Sequence, residues 1–466
     1  MTNQRQLDYN SKEKLERYIL QKMKNERLPA VSICLFVGDQ TVYARGFGSA
    51  SIEPPRSATP DTLYGVGSVT KAFTSIAVLK LYEEGKISLE DPVNKYIPSF
   101  NADRNTKPVT IHQLLTHTSG FPNLGSAEEI IGKMSDAPTS WIPLGSFDDL
   151  LNLINSASEE RLSDEGDVFF YWNEGYALLG EIIQRVSGKK YTTYVTENIL
   201  KPLGMSRSSF DRSVLDKDPD AMTGYLLTEK GGRKPQKFPA HPLVDAAGGL
   251  ITSVSELSRF VSMCINKGVY KGNRVINRET LEKAFTPFVK HTLPSNLVGG
   301  DYYGYGFIIN QNFQGYTLIG HGGNIGVSSA YFGFIPELSL GVTVACNSES
   351  PATLLGLYAL CVLTGIDPES ALPEVAFEKM CSKLTGKYAT FNGVHKAIVT
   401  KDGPNLFLKL MEGETPSLSL PLVFEGNKAY LLWGSGKLEV KIVQSKGKTQ
   451  LYVERNVYHK IEADSV

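Results

Sequence analysis

Neither sign of charge dominates this 466-residue chain: 48 lysines and arginines meet 49 aspartates and glutamates, a formal net charge of −1. That balance, with no long block of like charge, argues against nucleic acid or an anionic membrane as a main partner. Long apolar runs are also scarce. The longest, LLGLYALCVLTGI from Leu354 to Ile366, is too short to span a bilayer and suits a buried helix. The opening MTNQRQLDYNSKEKLERYIL lacks the apolar stretch of a secretory signal. Cysteine is sparse, scattered and odd in number (Cys34, Cys264, Cys346, Cys361, Cys381), without zinc-site pairing or disulfide density. Reduced, buried thiols in a cytoplasmic protein follow as the expectation, with no metal and no other cofactor. There is no internal repeat and no low-complexity tract. Apolar residues at 41% and charged residues at 21% are an ordinary globular mix and exclude global disorder.

What is present falls into blocks. The length suggests two or three structural units. A polar amphipathic helix is predicted over 11–28, then two strands around a Gly-Asp turn in 31–48. A helix follows Ser68, with Phe73, Ile76, Ala77 and Leu81 on one side. From about 90 to 290 the chain reads as loops and helices, with helices at 147–156, 175–187 and 254–267. Strands return at 305–311, 316–320, 328–335 and 340–346, before a buried helix at 352–364. That order predicts an α+β fold: one antiparallel sheet built from both ends of the segment, flanked by helices, with a helical subdomain inserted. The proline-bearing DPESALPEV (367–375) reads as a linker. Beyond it, short strand patterns separated by Gly-containing turns predict a small all-β barrel or sandwich. The expected domains are 1–375 and 376–466.

Three motifs carry chemistry. In Ser68-Val69-Thr70-Lys71, residues three apart share a helix face, so Lys71 lies beside the Ser68 hydroxyl. A lysine deprotonates a serine only as the free amine, so its pKa must fall through burial or nearby positive charge. Alone the pattern is weak, because a helix cap followed by an exposed lysine produces it equally. The second motif is Tyr171-Trp172-Asn173. A phenol near a lysine can relay the serine proton to a leaving group. An asparagine amide can bind a substrate carbonyl and orient the lysine. Trp172 is read as packing. The third is His321-Gly322-Gly323-Asn324. Its glycines let a substrate backbone lie along the strand edge, and the Asn324 N–H is a candidate oxyanion donor. His112, His117 and His241 are read as structural, His117 bracing a loop, and Tyr302, Tyr303, Tyr305 and Met205 as core or rim.

Together these residues resemble the serine β-lactamase and penicillin-binding peptidase family, whose motif set is S-x-x-K, S-D-N or its Tyr-x-Asn variant, and K-T-G. TLYGVGSVTKAFTS, LEDPVNKYIP, VTIHQLLTHTSGFP, GYALLGEIIQRVSG, ILKPLGMSRSSF, AAGGLITSVSELSRF, YGYGF and GHGGNIG stand in the family's order, over about residues 12–365. The Tyr-x-Asn form is that of class C β-lactamases, DD-peptidases and the CubicO group. The resemblance implies Ser68 as nucleophile, Lys71 and Tyr171 as base and acid, and Asn173 as substrate ligand. It implies His321 and Gly323 along the third edge, and the Ser68 and Asn324 amides as the oxyanion hole. The layout is most similar to archaeal CubicO-type serine peptidases that carry a lipocalin-like barrel and form a closed compartment, which implies a homo-oligomer. LTGKYAT is similar to the lipocalin opening. One departure stands out: His321 replaces the fixed positive charge of the classical lysine. The expectation is an acyl-enzyme hydrolase on Ser68, foremost a peptidase on short peptides, including D-amino-acid ones. The alternatives are a carboxylesterase or weak β-lactamase with the same machinery, or a non-catalytic binder or sensor. If His321 reads a substrate carboxylate as imidazolium, affinity weakens as pH rises through the histidine range.

Overall fold

The computed structural model describes residues 7–461 except 135–139, 141, 229–230, 240, 293–296, 298–299, 427 and 446–447. The chain folds as two compact units that meet between Ala371 and Leu372, against the expected 375/376. The segment predicted as a linker is helical: Pro368–Ala371 and Pro373–Leu384 are helices that each begin with proline. Proline fits a first helical position, where its missing N–H has no partner to lose.

The first unit is organised by an antiparallel sheet of nine strands among the described residues. In chain order these are β1 (Ala30–Val37), β2 (Gln40–Ser51), β3 (Arg56–Ser57), β4 (Val289–Lys290), β5 (Asp301–Tyr303), β6 (Ile308–Phe313), β7 (Tyr316–Asn324), β8 (Ser329–Ile335) and β9 (Leu340–Cys346). The spatial order is β4-β5-β6-β7-β8-β9-β1-β2-β3. Thus β1 from the start of the chain pairs with β9 from the end of the unit, Val31 opposite Cys346 and Val37 opposite Leu340. The strand predicted at 305–311 begins only at Ile308, because Gly306 takes a positive φ of 76° and turns the chain just before it.

Helices cover both faces. Phe332 of β8 meets Phe260 of the helix Val254–Ile265 edge-on, with ring centroids 6.1 Å apart. Its neighbour Tyr331 packs on Gly356 of the helix Ala352–Thr364, where a Cβ would fall 2.4 Å from the ring. Adjacent strand residues point to opposite faces, so the two helices lie on opposite sides. This explains why SAYFGFI and LGVTVAC are buried along their whole length instead of alternating.

The helix after Ser68, Thr70–Glu83, departs from the one-sided pattern predicted for it. Eleven of its fourteen residues are buried, because it lies within the first unit's core and not on its surface. Phe73 stacks on Phe260 at 3.9 Å between centroids, and Phe73→Ala would cost about 3–5 kcal/mol.

The second unit is a closed eight-stranded barrel running from Gly386 to Lys460. Each strand pairs with the next, and the first closes on the last through Tyr388–Lys460 and Ala389–His459. Closure removes the exposed edges of an open sheet. Tyr388, Val399, Leu408, Leu431, Val440 and Leu451 fill its interior, alternating with less buried residues. Cys381 and Leu384 of the preceding helix join that core.

Candidate active site

Ser68 occupies a short 3₁₀ turn, Gly67–Val69, that runs directly into the helix Thr70–Glu83. The turn is entered through Gly67 at φ +54°. Lys71, one turn along, is fully buried. Its ammonium nitrogen lies 3.1 Å from Ser68 Oγ, 2.8 Å from Asn173 Oδ1 and 2.8 Å from the Ala247 carbonyl. Burial lowers its pKa to about 7, against the opposing fields of Glu128 and Glu174. Burial therefore favours the free amine, the form that can take the serine proton.

Tyr171 and Asn173 arrive together at the start of the helix Asn173–Ser187. Nζ of Lys71 sits 4.7 Å from the centre of the Tyr171 ring, and the Tyr171 side chain lines the same cavity as Ser68, whose polar side chain acts on its titration. Burial pushes the Tyr171 pKa well above the usual phenol value. It stays protonated, a proton donor and not a phenolate base. His117 holds this segment: its Nδ1 accepts the Trp172 N–H at 2.9 Å and its carbonyl accepts the Phe170 N–H at 2.9 Å. The His117 ring lies 4.4 Å from that of Tyr171. Trp172 is buried against Phe121, a packing role.

The third wall is the end of β7. A Cβ on Gly323 would lie 2.0 Å from the Val66 carbonyl and 2.9 Å from the Ser68 nitrogen. Only glycine allows the strand to come this close to the nucleophile's turn. The same approach sets the Asn324 backbone against Gly67, where a Cβ would meet the Asn324 nitrogen at 3.0 Å. Ser68, Tyr171, Asn173, His321, Gly323 and Asn324 all line one cavity of about 520 Å³, with Lys71 buried beneath Ser68.

His321 is held as a neutral group, and the condition under which it would read a carboxylate as imidazolium is not met. Its Nδ1 donates to the Gly322 carbonyl at 2.6 Å and its Nε2 faces the Tyr303 hydroxyl at 3.0 Å. Burial, reinforced by Lys71, lowers its pKa to about 3. The imidazole is neutral across the physiological range, with both nitrogens turned to protein partners. Sequence reasoning also passes over several site residues. Tyr303, fully buried as expected of a core residue, is also the partner of His321. Asn123 and Glu128 line the cavity, and nothing in their spacing marks them. His112 bonds Tyr305 and His241 caps the 3₁₀ turn Pro242–Val244, both structural as read. No cluster of metal-ligating residues exists among the described residues.

The beta-lactamase family model matches residues 15–358. The chain belongs to that family. A second model, the Pab87 octamerisation domain, matches 368–459, the barrel unit. The octameric penicillin-binding protein homologue from Pyrococcus abyssi is 37% identical, with a TM-score of 0.88 over 96% of this chain and 99% of that one. Protein flp of Staphylococcus aureus (strain N315) is 28% identical over 356 residues, 74% of this chain and 64% of that protein. This chain therefore spans less than two thirds of that relative's length. A D-stereospecific amidohydrolase from Streptomyces sp. shares the fold at 20% identity, with a TM-score of 0.60 over 77% of this chain and all of that one. Among the described residues no helix is long and apolar enough to cross a membrane.

Proposed function

We propose that the chain is a serine peptidase that cleaves short peptides through an acyl-enzyme on Ser68. The observation that carries this is the pairing of a lysine with pKa about 7, 3.1 Å from the serine oxygen, with a protonated tyrosine whose ring lies 4.7 Å from the same lysine and lines the same cavity as Ser68. Ser68 Oγ attacks the amide carbon while its proton passes to the Lys71 amine. The Ser68 and Asn324 amides face the developing oxyanion. As the C–N bond breaks, the departing amine takes a proton through the Tyr171 hydroxyl. Water then attacks the ester and releases the acid, regenerating Ser68. An amine is a poor leaving group without a proton, and a site that keeps an acid protonated beside the nucleophile suits amides more than activated esters. The amidohydrolase with this fold supports the same reading, and short peptides of either stereochemistry are the proposed substrates.

The barrel's match to an octamerisation domain, and an octameric homologue covering nearly the whole chain, support a homo-oligomer held by the second unit. The test of the chemistry is a hydrolysis screen of short L- and D-peptides, p-nitrophenyl esters and nitrocefin, with wild type and Ser68→Ala. Intact mass after a fluorophosphonate should show one adduct, on Ser68. An adduct elsewhere, or undiminished turnover by the alanine variant, sinks the proposal.

A further inference from the structure

The charges around the catalytic cavity are one-sided. Among its described lining residues, the carboxylates of Glu128 and Asp301 are present with the imidazoles of His291 and His321, and no lysine or arginine is. Lys71 lies beneath the serine, fully buried and engaged by Asn173 and Ala247. His321 is neutral and turned inward. The Asp301 side chain accepts from Asn310 Nδ2 at 2.9 Å. Glu128 is different: exposed at the cavity wall, it accepts a hydrogen bond from Asn123 Nδ2 at 3.1 Å.

Its position is fixed by the site itself. Ser126 Oγ donates to Glu174 Oε1 at 2.6 Å, and the Ser126 N–H reaches the same oxygen at 3.1 Å. Glu174 follows Asn173 directly, so this contact ties the start of the helix Ser126–Met134 to the residue that holds Lys71. Glu128 stands two residues further along, and its field acts on both Lys71 and Tyr171. The carboxylate thus lines the same cavity as the reacting serine, from the first turn of the helix Ser126–Met134.

We infer that Glu128 recognises an ammonium group on the acyl side of the scissile bond, so the preferred substrates are amides and peptides with a cationic acyl residue and not those recognised by a free carboxylate. This rests on the acyl-enzyme reading above and names its substrate class. An ammonium beside Glu128 gains a charge-assisted hydrogen bond in a partly desolvated cavity. A substrate carboxylate there meets two like charges and no lysine or arginine to hold it.

The test compares kcat/KM at pH 7, where an α-amine of pKa about 7.7–8.0 is still mostly ammonium, for three p-nitroanilides: alanyl with a free amine, N-acetylalanyl, and N-acetyllysyl. Wild type should favour the free amine or the lysyl substrate over N-acetylalanyl by about tenfold, the scale of one charge-assisted hydrogen bond. Whichever cationic substrate is favoured tells whether the ammonium comes from the chain terminus or a side chain. Glu128→Gln should erase most of that preference, chiefly through KM, and Glu128→Asp should retain part of it. Wild type preferring N-acetylalanyl, or an unchanged ratio in Glu128→Gln, overturns the assignment. Fluorophosphonate labelling of wild type separates the two failures. Without a Ser68 adduct the acyl-enzyme reading falls, and with one only the role of Glu128 falls.

Discussion

The Tyr303 hydroxyl and His321 Nε2 lie 3.0 Å apart in a buried contact that consumes the one acceptor nitrogen of a neutral imidazole. The other nitrogen donates to the Gly322 carbonyl. With the His321 pKa near 3, protonation lies well below the range in which substrates would be compared. Substrates with free and amidated C-termini should therefore give superimposable pH profiles of kcat/KM between about pH 5 and 8. A limb that rises toward acid for the free-carboxylate partner alone would contradict this. Weak nitrocefin hydrolysis follows from the same contact, since no positive charge stands where the classical motif has lysine.

Lys71 should leave a signature in stability as well as rate. Its folded pKa of about 7 lies below the lysine value of about 10.4 expected when unfolded. Between these values the unfolded chain binds more protons, so stability rises with pH across that window. The penalty of burying the ammonium is fully present below about pH 7 and fades toward pH 10. Lys71→Met should therefore stabilise the fold more at pH 6 than at pH 10, a difference on the order of several kcal/mol in chemical denaturation. The same variant should lose several orders of magnitude in kcat, because base and nucleophile act as a unit. An equal stability change at both pH values would show that Lys71 is not held at a lowered pKa.

Ser68 and Lys71 are legible in the sequence from local spacing, and Tyr171 and Asn173 from the family resemblance. The three-residue spacing puts serine and lysine on one helix face, and a run of family segments fixes the rest. The antiparallel sheet built from both ends is also legible, since its strands are long apolar runs between turn signals. The inward turn of His321 is not, because its partner Tyr303 is eighteen residues away on a strand whose register only the folded sheet sets. Glu128 is hidden for a similar reason. An acidic residue in a helix's first turn is an ordinary feature, and only the Ser126–Glu174 contact brings it to the cavity. The all-round burial of the helix after Ser68 depends on what surrounds it, which no single-helix periodicity records.

On the barrel, Phe391 and Val394 are 80% and 73% exposed in one short loop segment. Large apolar groups so open to water are expected where another chain covers them. If the second unit holds a homo-oligomer, Phe391→Asp with Val394→Asp should lower the mass seen by light scattering while the barrel still folds. An unchanged assembly would place the interface on another surface of this unit.

Tyr171→Phe removes one hydroxyl and keeps the ring that packs 4.4 Å from His117, so the fold should be little changed. The effect should depend on the leaving group. A peptide amine must be protonated as it departs, and losing the positioned acid should cost about a hundred- to ten-thousand-fold in kcat/KM. A p-nitrophenolate leaves without a proton, so an activated ester should lose far less, its remaining cost being any help the phenol gives Lys71. The measurement is the ratio of amide to ester kcat/KM in wild type and Tyr171→Phe, at a pH above the Lys71 titration. A ratio that collapses in the variant identifies the phenol as the acid of C–N cleavage. A ratio that holds, with both activities falling together, would mean that Tyr171 serves the attack step and that the leaving amine takes its proton from Lys71.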